Sequence, residues 1–330
     1  MKLIVKGLLV SLLISTGLIA TEKKVATPAP APAPAKALET VAKHDVRVFT
    51  AGNADGKITA ISIEESFKKA GFVIAANNNM NAPFMRDFND TSFDVYNLMV
   101  VFRKDTALAL AEKYPEVGLF TPISLSIYTK KGDKTISVSS IEPSAMARMM
   151  NVPEDNEHVI AFGKKVEEAL NAVMPSGKFI TLSYEMKAST EEMITRLSFE
   201  QKGDDWEEAK DDFQMGFEGE LAPNKFVMAG FTDLNYDFEE HDKEWYYFYD
   251  VYSICSIPVI YEVAKLHPEA GAFAPCSMYM YQKKGEKTIH IAFPAVHKWI
   301  AALNIEDKES MDVLLTAQKA FEDILTKLSK

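Results

Sequence analysis

Sequence signatures that announce a chemistry are missing from this chain. There is no Gly-rich phosphate cradle, no Gly-x-Ser-x-Gly elbow and no His-Glu-x-x-His, so nucleotide, serine-hydrolase and zincin chemistry lack their motifs. No Cys-x-x-Cys-His occurs, which excludes covalent haem. Basic residues are in deficit: 36 Lys and Arg face 47 Asp and Glu, for a net charge of -11. A surface that displaces counterions from nucleic acid needs clustered cations, so DNA and RNA are excluded as partners. The same acidity disfavours a hold on anionic lipid through the folded body. The acidic runs at 204–212 and 237–242 lack oxygen donors alternating around a glycine and read as solvated helix faces and loops rather than calcium loops. Carboxylates are many, but nothing places two of them across a cleft, so no acid/base pair is named.

What is present begins with an export signal. Two lysines in residues 1–6 precede the apolar run Gly7–Ala20, whose 14 residues are short for a membrane span. Cleavage after Ala20 removes both lysines and takes the charge to -11 - 2 = -13. The signal peptide is thus expected over 1–20, and the protein is expected to be periplasmic or secreted, with membrane attachment only if the signal stays uncleaved. An Ala/Pro-rich linker is expected over 21–44. Its core, residues 26–36, alternates Ala with Pro and cannot fold into a core. As a polyproline-like spacer it reaches roughly 34 Å at about 3.1 Å per residue.

The rest is built twice. YPEVGLFTPISLSIYTKKGDKTI at 114–136 returns as HPEAGAFAPCSMYMYQKKGEKTI at 267–289, with 13 of 23 positions identical and no gap. This internal duplication divides the folded part into a first repeat, 45–175, and a second, 176–330. In the first, Ser62–Glu65 forms a capping-box pattern for a helix that stops at Gly71, and the Asn-rich stretch 77–81 reads as a loop. The β-branched and aromatic run Phe93–Phe102 reads as a buried strand, followed by a short helix that Asp105 caps and by a hairpin turning at Lys131-Gly132-Asp133. A helix with Val159, Phe162, Val166 and Leu170 on one face closes the repeat. The second repeat follows suit, with a strand at Tyr246–Cys255 and a terminal helix over Leu314–Leu328. It opens with a strand at Phe179–Met186 and a long acidic helical insertion over 187–224, capped at Ser189–Glu192 and interrupted at Gly203.

The pattern Pro-Glu-x-Gly-x-Phe-x-Pro, a strand, a Lys-Gly turn and a Thr-containing return strand resembles the bacterial domain-of-unknown-function 302 family, here in tandem. The resemblance covers nearly all of 45–330 and is weakest over 187–224. That family often has a cysteine after the second proline; the second copy has it, Pro275-Cys276, whereas the first has Ile123. The resemblance implies an α+β fold in which each repeat is an antiparallel sheet with helices packed on one face. It also implies that copies pair, here as an intramolecular pseudo-dimer. It implies no activity and no cofactor, and the cofactor is left unknown.

Candidate residues lie in the second repeat. The run Trp245-Tyr246-Tyr247-Phe248-Tyr249 with Tyr252 alternates so that Trp245, Tyr247 and Tyr249 share one strand face and Tyr246, Phe248 and Tyr252 the other. One reading is core and inter-repeat contact; the other is a cleft for a small apolar ligand formed by Trp245, Tyr247, Tyr249, Tyr252 and Cys276. Cys255 and Cys276, an even count in an exported chain, admit a disulfide, two buried small hydrophobes, or a reactive or metal-bound thiol. His267, His290 and His297 replace Tyr114, Ser137 and Ser144 of the first copy and, with Cys276, supply donors for a soft metal or a redox site. The sequence therefore points to a non-enzymatic protein of the cell envelope that binds a small apolar ligand or a protein partner through the second repeat and the groove between repeats. The alternatives are a thiol or metal site around Cys276 and an envelope scaffold without ligand.

Overall fold

The computed structural model describes residues 44–330; the expected signal peptide and all but the last residue of the expected linker lie outside them. The first sheet collects β1 (Val46–Gly52), β2 (Val73–Asn79), β3 (Phe93–Phe102), β4 (Ile123–Lys130), β5 (Thr135–Ile141) and β6 (Lys178–Ile180), in the order β2-β3-β4-β5-β1-β6. Between them run α1 (Ala60–Lys69), α2 (Asn81–Phe88), α3 (Lys104–Ala111), α4 (Pro143–Met149) and α5 (Glu157–Val173), with a 3₁₀ segment at Pro115–Phe120. The second sheet has the order β7-β11-β10-β9-β8, from β7 (Ile194–Glu200), β8 (Val227–Asp233), β9 (Tyr246–Cys255), β10 (Cys276–Lys283) and β11 (Thr288–Pro294). Its helices are α6 (Trp206–Leu221), α7 (Leu234–Glu239), α8 (Ile257–Leu266), α9 (Val296–Ala302) and α10 (Lys308–Leu328), with the 3₁₀ segment Pro268–Ala272. All neighbouring strands pair antiparallel. The protein is an α+β fold of two repeated units, as the duplication implies.

Register shows how complete the repetition is. Val46 pairs with Ile141 as Ile194 pairs with Pro294, and a bulge interrupts β2 at Ile74/Ala76 as another interrupts β8 at Met228/Gly230. The stretch 187–224 is therefore not an insertion; it holds β7 and α6, the counterparts of β1 and α1. Leu197 and Phe199 of β7 alternate inward onto the core shared with α6 and α10, and that period of two overrides the helical reading. Ser189 opens no helix and instead accepts the Glu191 N–H in a tight turn, whereas Asp205 caps α6 by accepting from Glu207 and Glu208. Gly203, at φ +76, sits in the turn between them.

Three further expectations shift. The capping box of α1 is formed three residues earlier, with Thr59 accepting from Ser62 N and Ser62 Oγ accepting from Thr59 N. The Asn-rich stretch continues edge strand β2 to Asn79, because Asn77 donates to Glu64 and Ala60 and accepts from Asn97, so its amide costs nothing there. The strand expected at Phe179–Met186 is hydrogen-bonded only over 178–180, and to β1 of the first sheet rather than within the second. Beyond it Leu182, Tyr184 and Met186 pack inward at alternate positions as an extended connector. Among the described residues no helix is long and apolar enough to cross a membrane.

Candidate functional site

The residues that the two copies share meet each other across the contact between repeats, which belong to one compact unit. Tyr249 and Tyr96, equivalent positions on β9 and β3, are fully buried. Each donates its hydroxyl across the contact, Tyr249 to the carbonyl of Pro115 and Tyr96 to that of Pro268. Ser124 donates to Pro275 O and Ser277 to Pro122 O, both at 2.7 Å. These reciprocal pairs make the contact isologous, the pattern of a symmetric dimer within one chain. The Pro-Glu-x-Gly-x-Phe-x-Pro stretch, expected from its backbone-shaping residues to specify a strand start and hairpin, is thus also the docking element of each repeat on the other's sheet.

This contact takes up part of the expected aromatic cleft. Lys283 pairs with Tyr246 but Gln282 pairs with Phe248, so a bulge at Tyr247 breaks the period of two. Tyr246 consequently stacks on Tyr249, at 5.0 Å, and donates to Ala111 O at 2.7 Å. Tyr247 stacks on Trp206, Trp245 packs against Phe238, and Tyr252 lies on the opposite face against Phe217. Trp245, Tyr247, Tyr249 and Tyr252 are dispersed over core and contact and do not face one cleft.

Beside Tyr252, on the helix-covered face, Asp250 is fully buried and meets Lys210 of α6 at 2.9 Å. Burial pushes its carboxyl up to about 6, with Lys210 opposing, from an ordinary 3.8. The folded state therefore holds a proton that the unfolded chain has released between those two values, and this group favours folding increasingly as pH falls from about 6 to 4. Asp250→Asn should remove that contribution, changing the pH dependence relative to the parent by roughly 2–3 kcal/mol across the window. Urea unfolding of both proteins at pH 4 and pH 7 measures it; equal pH dependence would contradict the assignment.

Cys255 and Cys276 are free thiols. Both line a small apolar cavity of about 60 Å³ with Met278, Trp299 and Phe321. Burial pushes each thiol up to about 12. At neutral pH almost no thiolate forms, which suits packing and not nucleophilic chemistry. His290 pairs with Tyr281 in the hairpin, and Cys276 lies five residues along β10, roughly 17 Å away at about 3.4 Å per residue. His290 stacks on Tyr281, His267 lies 3.8 Å from Glu269, and His297 sits in the first turn of α9. No group of three or more His, Cys, Asp or Glu among the described residues could hold a metal ion. The metal candidates are not assembled, whereas the two thiols share one cavity.

What the fold does assemble is an open groove of about 1290 Å³ between the repeats. Its first wall is the chain at Tyr114–Glu116; its second is the inner face of the second sheet with Tyr279, Tyr281 and His290. The connector contributes Met186 and Met193, and Arg196 of β7 reaches across to Glu116 at 2.6 Å. At one end Asp45 is held between Arg148, at 2.5 Å, and Lys298 of α9. Asp45 and Lys298 are both buried. Burial draws the Lys298 ammonium down to about 8, and its contact with Asp45 works the other way. Of the expected site residues only His290 lines this groove. Glu116 and Tyr281 lie in the doubled stretch without a local mark of a site, and Asp45 and Lys298 carry no local signal.

Comparison with known proteins adds the family. The family model "Domain of unknown function DUF302" matches residues 49–174. A solved structure, described as an uncharacterized conserved protein DUF302 from Bacillus stearothermophilus, aligns with 23% identity over 38% of this chain and 95% of its own, with a TM-score of 0.33. No curated protein matches the chain significantly. The match to the DUF302 family model is thus confined to residues 49–174, in the first repeat.

Proposed function

We propose that this is an exported, non-enzymatic protein of the bacterial cell envelope, periplasmic or secreted, that binds a small ligand in the groove between its repeats. The observation that carries this reading is the groove itself: it is walled by both repeats, and its lining mixes apolar side chains such as Met149, Met186 and Met193 with charged and polar groups such as Glu116, Arg196 and His290. The sequence points to an apolar ligand; the presence of Glu116, Arg196 and His290 favours one with an apolar body and a polar end. Export rests on the basic start and the apolar run Gly7–Ala20. The second repeat is read as a diverged copy of the same family, on its strand order and register.

Expression of the full chain in a bacterial host tests both parts. Periplasmic extract should yield protein that begins at Thr21, and native mass spectrometry should show a bound small molecule that Tyr281→Ala loses. Recovery from the cytoplasm with Met1 in place would refute export. Absence of any bound molecule, together with no thermal shift from a panel of small aromatic and aliphatic compounds, would refute the ligand reading.

A further inference from the structure

Two equivalent grooves are implied by the reciprocal contacts between the repeats, and the second is filled by the chain itself. The connector that follows β6 lays Tyr184 there. Its hydroxyl donates to Glu269 Oε1 at 3.0 Å, and its ring meets His267 edge-on at 6.2 Å and His44 at 5.6 Å. Burial first, then the Glu269 carboxylate and, least, the Tyr128 phenol hold the Tyr184 hydroxyl well above its usual range.

Each of these neighbours from the doubled stretch has a counterpart 153 positions away: Glu269 matches Glu116, His267 matches Tyr114, and Tyr128 matches Tyr281. All three counterparts line the open groove. The protein thus contains one copy of the site with an occupant and one without. The occupant is a phenol, donating to a glutamate and lying among aromatic rings.

Resting on the reading of the groove as a ligand site, we propose that its ligand is a small molecule with a phenol head group. The hydroxyl donates to Glu116 and the ring lies against Tyr114 and Tyr281. Arg196 does not block this. A carboxylate accepts several hydrogen bonds, so Glu116 can hold Arg196 Nε at 2.6 Å and take a phenol as well. The guanidinium in turn offers a donor to the phenol oxygen, an interaction that Tyr184 lacks in the filled groove. At about 1290 Å³ the groove is far larger than one ring, so it leaves space for a substituent para to the hydroxyl.

The test uses p-cresol and 4-methylanisole, which share the ring but differ in the hydrogen-bond donor, titrated into the full chain by calorimetry or ligand-observed NMR. The parent protein should bind p-cresol at one site and 4-methylanisole at least tenfold more weakly. Glu116→Ala should weaken p-cresol at least tenfold while leaving 4-methylanisole within about twofold. Tyr184→Ala should open the filled groove and raise the stoichiometry for p-cresol from one to two. Should that variant fail to fold, the parent and Glu116→Ala titrations still decide. Equal binding of the two compounds, or p-cresol binding that ignores Glu116, overturns the phenol assignment. If native mass spectrometry finds a groove ligand without a phenol, and p-cresol does not displace it, the assignment falls and the groove reading stands. If nothing binds, both fall.

Discussion

Asp45→Asn should destabilise the fold by about 3–5 kcal/mol, the loss expected when one partner of a buried ion pair is removed and its counter-charge stays behind. Asp45 is 1% exposed and Lys298 is 5% exposed, so neither charge can turn to water. Asp45 immediately precedes β1 in the first repeat, Arg148 lies in the last turn of α4 in the same repeat, and Lys298 lies on α9 of the second. Without the carboxylate, two cations face each other at the end of the groove, and Lys298 must be buried charged without a partner or give up its proton. Lys298→Met should cost less, because Arg148 remains to satisfy Asp45 at 2.5 Å. The double variant should be more stable than Asp45→Asn alone. Urea unfolding of the four proteins closes the cycle; a coupling energy below about 0.5 kcal/mol would mean that the pair is not felt. In heat the single change should lower the midpoint on the order of 10 °C.

Gly271→Ala should be the other large loss, about 3 kcal/mol, at the upper end of what overpacking costs. A Cβ at Gly271 would stand 2.4 Å from Ser126 Cβ and 2.6 Å from Leu98 Cδ2, both on the first repeat's sheet. Gly118→Ala meets Tyr249 Oη at 2.7 Å and Tyr279 Cβ at 2.8 Å from the opposite side, and a loss of similar size is expected. Neither residue is needed for a left-handed turn; each is glycine because the other repeat's strand runs against its backbone. Gly219→Ala makes the contrast. It lies exposed within α6 with nothing inside 4 Å, and should stabilise by about 0.5–1 kcal/mol through helix propensity. Denaturant midpoints of the three variants test the argument. A neutral Gly271→Ala would show that the two repeats do not approach as described.

Much of the fold was legible because its signals are local. The strands at Phe93–Phe102 and Tyr246–Cys255 announce themselves by unbroken β-branched and aromatic runs, and α5 and α10 by apolar stripes of helical period. The hairpin at Lys131-Gly132-Asp133 turns where expected, with Gly132 at φ +81. Failures came where a local pattern has two solutions. Ser189-x-x-Glu192 satisfies a capping box on paper, but β7 pairs with β11 and wins those residues' neighbours for the sheet. Strict alternation gives the aromatic run two faces, and the bulge at Tyr247 defeats it.

By itself the sequence determined that the folded part is a duplication, that each copy is an α+β unit, and that its 23-residue doubled stretch carries the shared structure. Only the tertiary structure decided what those shared residues face. Gly118, Ser124 and their mates meet the opposite repeat, and Glu116 and Tyr281 meet a groove whose twin is filled by Tyr184. The reason is physical. Periodicity along the chain records which side of an element is buried, because burial repeats with the element's own geometry. It does not record against what, because partners such as Tyr249 and Pro115 are 134 residues apart and meet only after both repeats have folded. An asymmetry between two equivalent grooves is further removed still, since it depends on which of them the single connector between the repeats enters.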